Sequence, residues 1–163
     1  PILNMRMGDA NGPQPDSIAE AMETLAGLQQ EELIGQLGVS NVTAEQVAEA
    51  RAVTPIVCVQ NMYNVANRWD DHLIDSLAAD NIAYVPFFPL GGFTPLQADA
   101  LTAVAARLEA TQMAVALAWL LQRSENILLI PGTSKVAHLR ENITGDGLSL
   151  TEQDIAELDN INS

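Results

Sequence analysis

Two hydrophobic spacings take turns along this chain. Short apolar runs at residues 1–5, 33–39, 56–60, 82–88 and 127–130 are too brief for helices and suit strands covered on both faces. Gly35 weakens the second run and Gly38 closes it, while Pro86 and Pro89 limit the pairing of the fourth. Between the runs, apolar positions fall three and four apart. Ile18, Met22, Leu25 and Leu28 make one stripe, Leu73, Ile74 and Leu77 another, and Met113, Ala116, Leu117, Leu120 and Leu121 a third. Val136, Leu139 and Ile143, then Ile155, Leu158 and Ile161, repeat the spacing near the end. Start signals accompany the stripes. Ser17 with Glu20, Thr43 with Gln46, and Thr94 with Gln97 read as capping boxes, the last with Pro95 at the first helical position. Asp70 or Asp71, and Thr111, stand as single caps, and Thr151 with Asp154 opens the final helix.

Strand and helix therefore alternate through five units. That order predicts an α/β fold with a parallel sheet and right-handed crossovers. No G-x-G-x-x-G follows the first run, so a doubly wound dinucleotide fold has no direct support. A barrel of β/α units is the better candidate, with ligands at the C-terminal ends of its strands. Eight units take about 250 residues, and this chain has 163. The expected architecture is a partial barrel, about half of a (β/α)₈, forming one domain over residues 1–163.

The net charge of −14, with Lys135 the single lysine, argues against nucleic acid and against anionic membranes as partners. A phosphate ligand stays open, because backbone N–H groups hold one locally. Cys58 lies in an apolar run and reads as a buried free thiol, which suits a reducing, cytoplasmic setting. No signal peptide and no apolar run near 18 residues is expected. The first run starts at Pro1, so a preceding N-terminal portion is suspected.

With parallel strands, the rim collects Asn4 to Arg6, Ser40-Asn41, Gln60-Asn61, Phe87 to Gly91, and Gly132 to Ser134. Amide and hydroxyl donors, two aromatic faces and two small-residue turns suit an aromatic heterocycle with an amide and a phosphate tail. After the run at 127–130, Pro131 and Gly132 stop the strand, and Thr133 and Ser134 offer hydroxyls as caps of the next helix. The free N–H groups of that helix form an anion site, although an ordinary βα turn has the same pattern. His72 and His138 are not spaced as a metal pair, and His72 reads as a solvated helix residue. Asp70-Asp71 reads as a cap rather than a carboxylate dyad, and Tyr63 and Tyr84, with no lysine beside either, read as core or rim packing.

Five separated blocks carry a resemblance: Gly38-Val39-Ser40-Asn41, Val59-Gln60-Asn61-Met62-Tyr63, Phe88-Pro89-Leu90-Gly91, the tract from Val115 to Arg123, and Ile130-Pro131-Gly132-Thr133 through Glu141-Asn142. In order and spacing the chain resembles the aldo/keto reductase family, from about its fourth strand onward. The resemblance implies a (β/α)₈ barrel that reduces carbonyls with NADP(H). It implies that Ser40, Asn41 and Gln60 bond the nicotinamide amide, and that Phe87 stacks on its ring. Leu90 and Gly91 would lie along the pyrophosphate. Gly132, Thr133, Ser134 and His138 would surround the 2′-phosphate, and Glu141 and Asn142 would meet the adenine. Gly132 stands where many members carry lysine and His138 where many carry arginine, with Lys135 as a substitute charge. The family's catalytic tyrosine, lysine and aspartate belong to units that this chain lacks, and its histidine falls at about Arg6. Two readings follow: the C-terminal part of an NADP(H)-dependent carbonyl oxidoreductase, or a non-catalytic nucleotide-binding or structural half-barrel. Either exposes sheet edges and predicts a homo-oligomer or a complementing N-terminal half as partner.

Overall fold

The strands line up in chain order. In the computed structural model, which describes residues 2–9, 12–91 and 98–162, β1 (Ile2–Arg6), β2 (Gln36–Ser40), β3 (Cys58–Gln60) and β4 (Ala83–Tyr84) pair side by side and all parallel. Parallel neighbours need a crossover, and α1 (Ala19–Gln30), α2 (Ala44–Val53) and α3 (Asp71–Ala79) provide one for each step. After β4 come α4 (Asp99–Arg107), α5 (Gln112–Arg123), α6 (Val136–Thr144) and α7 (Glu152–Asp159).

The fifth expected strand is reduced to one parallel bridge, Tyr84 to Ile127, flanked by hydrogen bonds from Tyr84 N to Asn126 O and from Leu128 N to Tyr84 O, both 2.9 Å. Its neighbour explains the shortening. Pro86, next in line after Tyr84 on that side, has no N–H to donate to the fifth strand, while on the β3 side Val85 N still donates to Val59 O at 2.8 Å and Phe87 N to Asn61 O at 3.0 Å. Beyond it the sheet resumes as a single bridge between Met62 and Phe87.

Side-chain alternation sorts the sheet into two faces. Leu37, Val39, Val59 and Tyr84 enter the core, where they meet Met22, Val47, Ile74, Leu77, Leu117 and Leu120 from the helices. The opposite face is polar. Asn4, Gly38 and Cys58 are in register there, and Asn4 Oδ1 accepts from Cys58 Sγ at 3.1 Å. A Cβ on Gly38 would fall 2.0 Å from Asn4 Oδ1 and 2.6 Å from Cys58 Sγ, so this register needs glycine. Cys58 is a buried free thiol, and burial raises its pKa.

Helix starts show which sequence signals hold. Thr43 and Gln46 form their capping box, and Gln46 Nε2 also donates to Gln14 O and Asp16 O at 2.7 Å, fixing the loop before α1. Thr111 caps α5, and Thr151 with Asp154 forms a second box. Ser17 does not cap with Glu20. Glu49 from α2 takes over: its Oε2 accepts from Ile18 N and its Oε1 from Ser17 Oγ, both at 2.9 Å. A carboxylate is the stronger acceptor, and the packing of α2 against α1 delivers it. The Thr94–Gln97 box lies outside the described residues.

Asp70 occupies the cap position of α3 but makes no cap bond. Its Oδ2 accepts from Asn61 Nδ2 at 2.7 Å and from Tyr84 Oη at 2.8 Å, while Asp71 accepts from Tyr63 Oη and pairs with Arg68 at 2.8 Å. Both tyrosines are fully buried, which answers why the carboxylates turn inward: a buried hydroxyl needs an acceptor. Tyr63 stacks on Trp119 at 5.6 Å, and Trp119 Nε1 donates to Asp159 at 2.9 Å. His72 is exposed on α3, as a solvated helix residue should be.

α6 carries the expected apolar stripe, yet none of its residues is buried. Val136, Leu139 and Ile143 are 67%, 50% and 63% exposed. Its cap position is Lys135 and not Thr133 or Ser134, with no side-chain cap bond. Thr133 Oγ1 accepts from Lys135 N at 3.1 Å, a local turn that pushes the helix start two residues on.

Candidate functional site

The C-terminal ends of the strands form one rim, and the parallel register puts it together. Arg6 is level with Ser40, and Ser40 with Gln60. Arg6 Nη1 donates to Ser40 Oγ at 3.3 Å, and its guanidinium lies 5.1 Å from the centre of the Phe87 ring. Asn4 Nδ2 donates to Gln60 Oε1 at 3.0 Å, which fixes the Gln60 amide with its own Nε2 pointing the other way. Phe87 meets Phe88 edge to face at 5.1 Å.

From Phe87 the rim opens into a cavity of about 530 Å³, lined by Phe87, Phe88, Pro89, Leu90, Met113 and Ile130 to Gly132. A second cavity of about 190 Å³ shares Met113 and Gly132 with the first and continues along Thr133, His138, Glu141 and Asn142. The two make a trough with an apolar, aromatic end and a polar end beside the start of α6. Asn142 Nδ2 reaches Pro131 O at 3.5 Å across the polar end. Gly91, with a φ of 89°, follows Leu90 in a tight turn that only glycine takes easily. Ser134 and Lys135 are exposed beside the same end.

Seven of the twelve residues expected to touch a cofactor therefore line this trough: Phe87, Leu90, Gly132, Thr133, His138, Glu141 and Asn142. Ser40 joins it through Arg6 and Phe87, and Gln60 stands level with Ser40 on the neighbouring strand. Asn41 is different. Its Nδ2 donates to three backbone carbonyls, Met7 at 2.7 Å and Asp9 and Gly12 at 3.2 Å, and the residue is buried. Its backbone N donates to Gln60 O at 2.9 Å, with φ at 56°, a left-handed conformation that asparagine tolerates well. Asn41 thus clips the loop after β1 to the rim. Gly8 completes the clip: a Cβ there would stand 2.2 Å from Gly12 O and 2.5 Å from Asn41 Nδ2.

Sequence reasoning placed Asn4 and Asn61 on the rim without giving either a role, and it missed Met113. Asn4 had a usable signal, since it lies two residues before Arg6 on the same strand face. Asn61 bonds Val42 through N–H and C=O at 3.0 and 2.8 Å and reaches Asp70, tying the β2 and β3 rims together. Met113 lies on the long α5 stripe, where nothing distinguishes a cavity wall from core. Among the described residues no group of three or more His, Cys, Asp or Glu side chains is placed to hold a metal ion.

Residues 8–163 match the model of the aldo/keto reductase family. The chain belongs to the aldo/keto reductase family. Pyridoxine 4-dehydrogenase of Escherichia coli K12 is 60% identical over 162 residues, covering 98% of this chain and 57% of that protein. An uncharacterized oxidoreductase of Schizosaccharomyces pombe is 37% identical over 152 residues, 93% of this chain and 48% of that one. This family member spans about half the length of the curated relatives that it matches. Among solved structures, the thermostable aldo-keto reductase Tm1743 in complex with the inhibitor epalrestat superimposes with a TM-score of 0.83 at 27% identity, over 98% of this chain and 59% of that one. An aldo-keto reductase complexed with NADPH shares the fold with a TM-score of 0.76 at 21% identity, over 99% of this chain and 53% of that one. The open parallel sheet is accordingly part of an aldo/keto reductase barrel, and the trough lies on the rim where barrel ligands bind.

Proposed function

We propose that this chain carries the cofactor-binding rim of an NADP(H)-dependent oxidoreductase that interconverts a carbonyl and an alcohol. The observation that supports this reading is the continuous trough from Phe87 to Asn142, aromatic at one end and donor-rich at the other. Ser40 and the Nε2 of Gln60 would hold the nicotinamide amide, and the cavity side of Phe87 would stack on the ring. Leu90 and Gly91 would lie along the pyrophosphate. Gly132, Thr133, Ser134 and His138, with Lys135 adding charge, would take the 2′-phosphate, and Glu141 and Asn142 the adenine. The 60% identity to pyridoxine 4-dehydrogenase makes pyridoxine and its aldehyde the first substrate pair to try.

Hydride transfer needs a partner acid or base for the substrate oxygen. Tyr63 and Tyr84 are poor candidates here: both are fully buried, both donate to carboxylates, and burial raises both pKa values. A tyrosine, lysine and aspartate supplied by further β/α units would complete the reaction. The same observation favours a second reading, in which the chain alone binds nucleotide and reduces nothing. Quenching of NADPH fluorescence together with aldehyde-dependent NADPH consumption separates the two. Quenching with turnover supports the full reading, quenching alone supports the second, and the lack of both overturns the cofactor assignment.

The open sheet also supports association. Ile2 and Leu3 on β1, Leu128 and Ile130 beyond β4, and the α6 stripe leave apolar surface uncovered at both edges. A second copy, or complementing β/α units, would cover them.

A further inference from the structure

The β2–β3 ladder ends with Ser40 level with Gln60, and Asn41 N still donates to Gln60 O at 2.9 Å. One residue further on, Val42 lies in neither strand nor helix, and a single side chain holds both of its backbone groups. Val42 N donates to Asn61 Oδ1 at 3.0 Å, and Asn61 Nδ2 donates to Val42 O at 2.8 Å. An asparagine amide has the donor and acceptor of a peptide group, so it extends the ladder where β3 stops. Val42 and Asn61 are both buried, which keeps water from taking either bond over.

An amide pairs this way in one orientation only. Turned over, Asn61 would set oxygen against Val42 O and nitrogen against Val42 N. Asp70 decides between the two. The second hydrogen of Asn61 Nδ2 goes to Asp70 Oδ2 at 2.7 Å, and an amide oxygen facing that carboxylate would be repelled. Tyr84 Oη, fully buried on β4, donates to the same oxygen at 2.8 Å. Asp70 forgoes the cap bond of its own helix to accept these two. One oxygen thus links the turn after β2 with the end of β3 and with β4. We propose that Asp70 is a positioning residue: through Asn61 it holds the turn at residues 40–42, and with it the Ser40 hydroxyl at the nicotinamide end of the trough. This rests on the cofactor reading of the rim and adds to it a residue that acts through another side chain.

The test reads the turn and the ligand separately in Asp70→Ala, Asp70→Asn and Tyr84→Phe, with far-UV circular dichroism to check folding. In Asp70→Ala the Val42 amide, followed by NMR, should exchange with deuterium about tenfold faster than in the wild type, the worth of one charge-assisted hydrogen bond. NADPH should bind about fivefold more weakly, as to a site competent only part of the time, while adenosine 2′,5′-bisphosphate, which has the phosphate end and no nicotinamide, should stay within about twofold. Asp70→Asn offers a neutral oxygen in the same place and should recover most of both losses. Tyr84→Phe removes the other donor to that oxygen, so it should lower the urea midpoint yet leave Val42 exchange and NADPH affinity unchanged. Unaltered Val42 exchange in Asp70→Ala, unaltered affinity for NADPH that the wild type binds, equal weakening of NADPH and the bisphosphate, or the same losses in Tyr84→Phe overturns the assignment. If Asp70→Ala does not fold, the Asn61 side-chain amide resonances decide: a shift in Asp70→Asn with Val42 still protected upholds it, and no shift overturns it. Faster Val42 exchange in Asp70→Ala, when the wild type binds no NADPH, upholds the hold of Asp70 on the turn and overturns the cofactor reading alone.

Discussion

Asn41 offers the sharpest separation between holding the fold and holding a ligand. Its side chain has two amide hydrogens and faces three carbonyls, those of Met7, Asp9 and Gly12, at 2.7 to 3.2 Å. Replacing it with alanine removes about two net hydrogen bonds at about 1 kcal/mol each. It also places alanine at a φ of 56°, which adds up to about 1 kcal/mol over asparagine. Asn41→Ala should therefore lose about 2–3 kcal/mol. Asn41→Asp keeps the shape but aims an oxygen at three oxygens, and should lose about 3–4 kcal/mol at pH 7. Urea unfolding reads both, with Trp119 buried at 2% and Trp69 83% exposed as contrasting fluorophores. At a slope of about 2 kcal/mol per molar urea, the alanine midpoint falls by about 1–1.5 M. NADPH quenching is measured on the same samples, well below the transition. If alanine left the midpoint within about 0.3 M of wild type and abolished quenching, the clip would be the wrong account and direct contact with nicotinamide the right one.

Two further expectations concern the body of the fold. Asp154 is buried, and hydrogen bonds from Thr151, then from Arg107, pull its pKa down to about 2. A depressed carboxyl stabilises the fold above its unfolded value near 4 and loses that contribution as pH falls through about 2. Arg107 is 42% exposed, so screening trims the full figure of over 2 kcal/mol, and Asp154→Asn should cost about 1.5 kcal/mol at pH 7. The gap between wild type and variant should narrow from pH 4 toward pH 2, and a constant gap in urea titrations would contradict the assignment. Second, light scattering at micromolar concentration should report a species larger than the 17.5 kDa chain, because both sheet edges expose apolar side chains. A stable monomer would refute it.

The parallel order was readable because periodicity changes from two to three-and-four wherever a crossover begins, and Leu37 and Val39 against Gly38 and Ser40 show the alternation in one strand. The rim was readable because strand ends in a parallel sheet share a side. Local signals failed where a distant residue competed. Ser17 lost its capping role to Glu49, 32 positions away, and Asp70 turned from its helix to the hydroxyl of Tyr84. Neither competitor is visible in a window of ten residues. Asn41 shows the subtler limit: sequence placed it correctly on the rim, but which way its amide points depends on a loop whose path no pattern specifies. The stripe on α6 was found as a stripe, yet periodicity does not say whether anything covers it.

That uncovered helix has a thermodynamic consequence. With no side chain sunk into the interior, α6 stays attached mainly through its line of contact with α5 and the single turn at Gly145–Gly147. Its amide protons should exchange with solvent earliest among the helices, since little surface is re-exposed when it lifts away. His138, Glu141 and Asn142 ride on it, so any molecule gripping them must also hold the helix down, and its measured affinity is the intrinsic grip diminished by that tethering work.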